Sequence, residues 1–213
     1  MRNSHGLLLL SGGFDSPVAG FMVKEKGATV GAVHFSSEPF SGNEPEVKSR
    51  LLVLNLGFEE LLVVPLGAAL ETIAQRCEHR LYFVLMKRLM LRMAEKLAND
   101  WSYNFLITGE SLGQVSSQTL ANLSVIHNAI TIPILRPLIG LSKEEIIDMA
   151  RKIETYEISK GPEVCDMLGP KHPATRAKLA AVEAEEAKLD MGELIPAALS
   201  SLKTVFSREK SPT

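Results

Sequence analysis

Along the chain, short apolar segments alternate with longer stretches in which apolar residues recur every three or four positions. That is the pattern of β–α units wound into a parallel sheet. Five segments read as strands: Leu7–Leu10, Thr29–Phe35, Leu61–Pro65, Phe105–Thr108 and Ile132–Ile134. Helical periodicity runs through Pro17–Lys26, Pro45–Leu56, Arg80–Asn99, Ser116–His127 and Lys143–Ile153. Pro17 suits the first turn of its helix, and Gly27 suits the position that closes it. Ser142 followed by Glu145 predicts a capping box. After Gly161 the sequence turns into a loop broken by Pro and Gly, then a charged, Ala-rich helix, expected to pack beside the sheet rather than extend it. The predicted fold class is α/β: an open parallel sheet with helices on both faces and a helical C-terminal tail. Residues 1–170 would form the main domain and residues 171–213 the tail packed on it.

Composition narrows this picture. With 213 residues, 46% hydrophobic and 23% charged, the chain has ample material for one globular core. Its longest uninterrupted apolar run, Leu81 to Met86, is far short of the roughly 20 residues that span a bilayer, and MRNSHG is not a secretory signal, so no membrane association and a cytoplasmic location are expected. Cys77 and Cys165 lie far apart with no C-x-x-C, which signals neither a zinc site nor a disulfide scaffold. A formal net charge of −2 excludes nucleic-acid binding through bulk electrostatics. Any such partner must meet a local patch or be delivered by another protein.

The candidate chemistry begins at Ser11-Gly12-Gly13-Phe14-Asp15-Ser16, directly after the first strand. Glycines there let backbone amides turn inward while the following helix points its positive end at the same place, which makes an anion site. Ser11 and Ser16 add hydroxyls. No Lys-Ser or Lys-Thr follows the glycines, so the loop is not a Walker A, and it is not G-x-G-x-x-G. Asp15 beside bound phosphates is repulsive unless a cation intervenes, and Mg2+ held with pyrophosphate would reconcile them. The plainer alternative is that Asp15 caps the helix and Ser16 completes the turn.

S-G-G-F-D-S after a first strand resembles the PP-loop of the N-type ATP pyrophosphatases, of adenine nucleotide alpha hydrolase-like fold. Three further stretches, Ile107–Leu123, Ile134–Ile147 and Gly161–Thr175, resemble the corresponding blocks of the tRNA 4-thiouridine synthetase (tRNA sulfurtransferase) family. The similarity runs from about residue 7 to about residue 190. It implies that ATP adenylates the carbonyl oxygen of a tRNA uridine with release of pyrophosphate, and that persulfide sulfur then displaces AMP. ATP and Mg2+ are the implied cofactors.

The resemblance also implies a nucleotide cradle made of Leu9, Leu10, Ser11, Gly12, Gly13, Phe14, Ser16, His34 and Phe35, with Lys87, Gly109 and Gln118 as further contacts. Taken alone, His34 reads as a strand-end histidine satisfied by a backbone carbonyl, and Gly109 and Gln118 as ordinary turn chemistry. Gly109 would let backbone approach the nucleotide, and Gln118 would offer its amide to the ribose or a phosphate. Asp15, Lys143 and Cys165 are the implied catalytic residues: Asp15 on the metal and pyrophosphate side, Lys143 against charge developing on the phosphoryl group, Cys165 in sulfur transfer. Lys143 sits in a first helical turn, where the macrodipole disfavours a cation. No residue is read as a direct protein ligand to a resident metal. Arg88, Arg92 and Lys96, at i, i+4 and i+8, read as a solvated basic face.

Family members normally carry a THUMP-containing region and some a rhodanese domain. Neither is expected here, so the chain is expected to work with tRNA, a separate THUMP-type tRNA-binding protein, and a cysteine desulfurase or other persulfide donor. A pairing of Cys77 with Cys165 would make the redox step self-contained. Two other functions stay open: a non-catalytic adenine-nucleotide-binding subunit, and adenylation or thiolation of another acceptor, as in thiazole (thiamine) biosynthesis.

Overall fold

The structure, a computed structural model, describes residues 4–161 and 168–207. The run of leucines becomes β1 (His5–Leu9), a strand covered on both faces. Leu7 and Leu9 point to one side and Leu8 and Leu10 to the other, and each pair packs into a separate core. Burial on both faces is what turns the strand into an unbroken apolar run instead of an alternating one.

β1 pairs in parallel with β2 (Thr29–Ser36) on one side and β4 (Phe105–Ile107) on the other. Beyond β2 lies β3 (Glu60–Pro65) and beyond β4 the short β5 (Ile134–Leu135), both parallel. One face of the sheet is covered by α1 (Asp15–Glu25), α2 (Glu44–Leu56), α6 (Lys143–Lys152) and α7 (Tyr156–Ser159). The other is covered by α3 (Gly67–Arg76), α4 (Tyr82–Asp100), α5 (Leu120–His127), α8 (Leu179–Glu186) and α9 (Met191–Ser200). Among the described residues no helix is long and apolar enough to cross a membrane.

The marked helix ends are as expected. Gly27 adopts φ +87° and its N–H bonds Lys24 O at 2.8 Å, and Ser142 and Glu145 form the reciprocal capping box. The segment 116–127 is two elements: a 3-10 turn over Ser116–Gln118, then α5, whose N-cap Thr119 accepts from Asn122 N. The amphipathic α3 was not anticipated.

The tail differs from expectation. Its helices α8 and α9 do pack on one face, but the chain then forms β6 (Lys203–Ser207), antiparallel to β3, and so extends the sheet to the order β5-β4-β1-β2-β3-β6. The edge of β3 would otherwise leave unpaired backbone groups, and β6 satisfies them, while Val205 and Phe206 add to the core below.

The basic stripe on α4 also differs. Arg88 is 1% exposed; its Nε and Nη2 each donate to the Glu186 carboxylate at 2.7 Å, and its Nη1 donates to Val125 O at 2.5 Å. Arg92 adds a bond to Glu186 at 3.2 Å, and only Lys96, paired with Asp100, sits on an exposed face. A planar guanidinium meeting a carboxylate on two bonds tolerates burial that a lysine would not. The pair fastens the tail helix α8 to α4.

Arg88→Ala strands Glu186 in the interior without its main partner and is expected to cost about 3–5 kcal/mol, read as a lowered urea midpoint. The apolar double replacement Arg88→Met/Glu186→Leu is expected to recover most of that loss.

Candidate functional site

The chain runs from β1 outward through β2 and β3, then returns to the far side of β1 to form β4. The crevice beyond the carboxyl ends of β1 and β4 is therefore the switch point at which open α/β sheets take ligands. The loop after β1 opens there. Gly12 adopts φ +81°, a left-handed conformation, and a Cβ on it would lie 3.0 Å from Pro45 O. Ser16 Oγ accepts from Ser11 N (3.1 Å) and lies 3.2 Å from Ser11 Oγ, which in turn accepts from Gly13 N (3.3 Å). Ser159 Oγ holds Gly13 O at 3.2 Å. Phe14 occupies the N-cap position of α1 and makes no side-chain cap bond. The first turn of α1 thus presents amides and a positive dipole end with no side chain capping them.

Asp15 is not the cap. It is the first residue of α1, and its Oδ1 accepts from Lys143 Nζ at 2.9 Å. Lys143 opens α6, and the partner across the crevice accounts for a cation placed against a helix dipole. Its ammonium lies 5.8 Å from the ring centre of Phe14, which stacks on Tyr156. Ser16 does complete the turn, as the plainer reading held.

Three adjoining cavities surround the loop, and Ser11 borders all of them. The first, about 290 Å3, is lined by Leu9, Leu10, His34 and Phe35 together with Phe40 and Met90. His34 is buried, with Nδ1 2.9 Å from Leu10 O and 3.3 Å from Ser49 Oγ. Burial pushes its pKa down, against the opposing pull of the Leu10 carbonyl and nearby glutamates, and keeps the ring neutral. The carbonyl-satisfied histidine and the cavity-lining histidine are here the same residue.

The second cavity, about 320 Å3, is walled by Gly12, Gly13, Phe14, Asp15, Lys143 and Lys48. Lys48 had no sequence assignment. Its side chain is 14% exposed and its ammonium meets Glu44 at 3.0 Å. The ammonium groups of Lys48 and Lys143, each paired with a carboxylate, stand beside an uncapped helix end, which makes this compartment suited to a polyanion that can take over those pairings.

The third cavity, about 270 Å3, brings Ser16, Lys87, Gly109, Glu110 and Gln118 together. A Cβ on Gly109 would fall 2.5 Å from Ser16 N and 2.7 Å from Asp15 C. The glycine is needed first because β4 abuts the loop's own backbone, rather than only for approach to a ligand. Gln118 is buried, and its Oε1 has no hydrogen-bond partner, an acceptor available to a donor group in the cavity. Lys87 is already engaged: its ammonium donates to Glu110 Oε1 at 2.9 Å. Glu110 Oε2 accepts from Arg136 Nε at 2.8 Å and from Thr108 Oγ1 at 3.1 Å. Burial raises the Glu110 pKa, but Lys87 and Arg136 outweigh it and hold the carboxyl at about 2.

Every expected site residue among those described therefore converges on the tip of β1, while Cys165 lies outside the described residues. Cys77 is half-buried with Sγ 3.6 Å from Glu185 O; burial and then Glu185 push its thiol pKa up, away from a reactive thiolate. Lys48, Ser159, Glu110 and Arg136 join the site without having been assigned from sequence. For Lys48 no comparable signal existed, since it lies past the first turn of α2 and pairs with Glu44 as an ordinary i, i+4 ion pair. Among the described residues no three His, Cys, Asp or Glu side chains cluster to hold a metal. A magnesium ion here would have Asp15 as its protein carboxylate and would take its remaining ligands from phosphates and water, the usual arrangement for that ion.

Sheet order, loop and switch-point crevice define a PP-loop ATP pyrophosphatase fold. At the level of fold alone, the same architecture is found in NMN synthetase from Francisella tularensis, with a TM-score of 0.57 and 16% identity over 93% of this chain and 78% of that one. The sequence matches the family described as "Thiamine biosynthesis protein (ThiI)" over residues 2–191, and the chain belongs to that family. A "Probable tRNA sulfurtransferase" from Moorella thermoacetica is 43% identical over 204 residues, covering 93% of this chain and 52% of the relative. The crystal structure of a 4-thiouridine synthetase–RNA complex with bound ATP superposes with a TM-score of 0.91 at 36% identity, over 96% of this chain and 55% of that one. The chain spans about half the length of the curated relatives it matches.

Because Glu110 is held below its ordinary 4.5, its charge stabilises the fold fully above the unfolded value, and that contribution drains away as the pH falls from there toward about 2. Urea midpoints of the wild type and Glu110→Gln, followed from about pH 6 to about pH 2.5, are expected to lie far apart at the upper end and converge at the lower. A gap independent of pH would assign the loss to packing instead.

Proposed function

We propose that this chain thiolates a uridine of tRNA in two steps, using ATP. In the first, the uridine carbonyl oxygen attacks the α-phosphorus, the bond from that phosphorus to the bridging oxygen of the β-phosphate breaks, and pyrophosphate leaves. In the second, the terminal sulfur of a persulfide attacks the activated ring carbon, and AMP departs with the former carbonyl oxygen. The observation that carries the reading is the meeting of Asp15 and Lys143, 128 residues apart, at the mouth of an uncapped phosphate-type loop. A module that only held a nucleotide would need the amides but not this carboxylate and ammonium together.

The residues divide the work. Amides of Gly12 and Gly13, the hydroxyls of Ser11 and Ser16 and the end of α1 hold the departing phosphates. Asp15 would hold the magnesium ion that accompanies them, which would neutralise charge on the leaving pyrophosphate, and Lys143 faces the α-phosphate, where negative charge gathers in the transition state. The compartment at Leu9, Leu10, His34 and Phe35 takes the base, with Lys87, Gly109 and Gln118 on the ribose and α-phosphate side. Cys165 accepts the sulfur-transfer role, forming a disulfide with the donor cysteine as sulfur leaves it. A cysteine desulfurase or similar protein supplies the persulfide, a THUMP-type protein presents the tRNA, and the reaction belongs to the cytoplasm. Relatives named tRNA sulfurtransferase and a structural neighbour with bound ATP and RNA support this reading. The family's description favours one second reading, thiolation of another acceptor in thiamine biosynthesis.

Asp15→Ala and Lys143→Ala are each expected to lower tRNA-dependent pyrophosphate release by roughly a hundredfold or more with the circular dichroism spectrum unchanged. Release at the wild-type rate removes the mechanism, and release that needs an acceptor other than tRNA selects the thiazole branch. For Cys165→Ser, pyrophosphate release is expected to persist while 4-thiouridine disappears from digested tRNA by mass spectrometry. Normal thiouridine would return this cysteine to a structural role.

A further inference from the structure

From residue 168 to residue 182 the chain carries no carboxylate, yet it carries Lys171, Arg176 and Lys178, all exposed. Several exposed cations elsewhere meet an acid three or four residues away, as Lys96, Arg151, Lys160 and Lys188 do, whereas Lys26, Lys152 and Lys203 stand singly along the chain. Among the described residues Lys171, Arg176 and Lys178 form no ion pair, and neither does Arg80 beside them. Of the nearby acids, Glu185 is committed to Lys188 and to the amide of Glu78, and Glu186 to Arg88 and Arg92.

The segment is fastened in place. Asn122 is fully buried and spends its amide on it, donating to Ala174 O at 2.8 Å and accepting from Ala177 N at 2.9 Å. Thr119 Oγ1 donates to Thr175 O, and Ala174 N donates to Arg80 O. A buried amide committed to the backbone of an unpaired basic segment holds like charges close together, which costs free energy unless an anion meets them. Beside Arg176 an open groove of about 590 Å3 is lined by Thr119, Leu120, Ala121, Ser124 and Thr175, and Leu120 is 75% exposed. The strip adjoins the site: Thr119 follows Gln118, and Arg80 lies just before the helix that brings Met86 and Lys87 to the crevice.

We propose that Arg80, Lys171, Arg176 and Lys178 form a docking strip for RNA phosphates along the Gln118 side of the crevice, with Leu120 as an apolar floor for an unstacked base or ribose. The inference rests on tRNA being the acceptor. Exposed cations that form no ion pair among the described residues, set around an apolar contact, match a strand whose phosphates and bases are both accessible. In a chain of net charge −2, this is the local patch that RNA contact requires.

The test is the binding of fluorescein-labelled unmodified tRNA to the full chain, by anisotropy, over about 50 to 200 mM salt. Lys171→Glu/Arg176→Glu/Lys178→Glu is expected to weaken binding at least tenfold and to flatten the slope of log K against log salt by about 2 to 3, with ATP affinity within twofold of wild type. A control with the same net charge, Lys26→Glu/Lys152→Glu/Lys203→Glu, is expected to bind tRNA within about threefold of wild type. Equal weakening in the two variants, unchanged binding by the strip variant, or no tRNA binding by the wild type overturns the strip. Polyglutamate competing as well as an RNA of equal charge would assign it to an acidic protein and likewise overturn it. The adenylation reading falls separately, on absence of pyrophosphate release with every acceptor.

Discussion

Where β4 ends, its backbone runs so close to the first turn of α1 that no side chain fits between them, and Gly109 fills the position. That contact sets the loop after β1 against the carboxyl end of the neighbouring strand and brings Ser16, Thr108 and Gln118 to a common cavity. The sheet supplies the force behind it. β1 is buried on both faces and paired on both edges, so its tip is held from every side and the uncapped amides after it are presented from the centre of the sheet.

Two kinds of ion pair sit around this tip, and they differ in how readily they come apart. Glu110 is deeply buried, and Lys87, Arg136 and Thr108 close around it. Removing Lys87 or Arg136 leaves a buried charge only partly matched in low dielectric. The pair of Asp15 and Lys143 is 23% and 41% exposed at its side chains, where water screens the attraction and the net gain is at most about 1 kcal/mol. A binding polyanion with its own cation can therefore separate them at little cost, whereas the Glu110 cluster stays assembled and shapes the wall.

What was legible in the sequence was local. The leucine run, the glycines after it and the capping box of Ser142 and Glu145 each state their structure within a few residues, and the fold class and the loop followed from them. What was missed depends on partners distant in the chain. Arg88 looked like part of a solvated stripe because Glu186, on a helix 98 residues away, is what makes its burial tolerable. β6 has only Val205 and Phe206 to mark it and exists because the edge of β3 needs pairing. Lys48 became visible as a site residue only when α2 was seen to place its first turns beside Gly12. The segment that became α3 did carry an amphipathic period in Ala69, Leu70 and Ile73, and lay unread between two stronger signals.

Ser11 is a corner shared by all three compartments, and this has a consequence for fragments of a nucleotide. A nucleoside alone and pyrophosphate alone each engage one room and each bear the full entropy of being immobilised. A molecule that threads the corner bears it once, so its affinity approaches the product of the fragments' affinities scaled by an effective concentration. Under the proposed reaction, cleavage at that corner would break the connection and leave the two halves to hold on separately, so a geometry that gripped the intact triphosphate would also release its pieces.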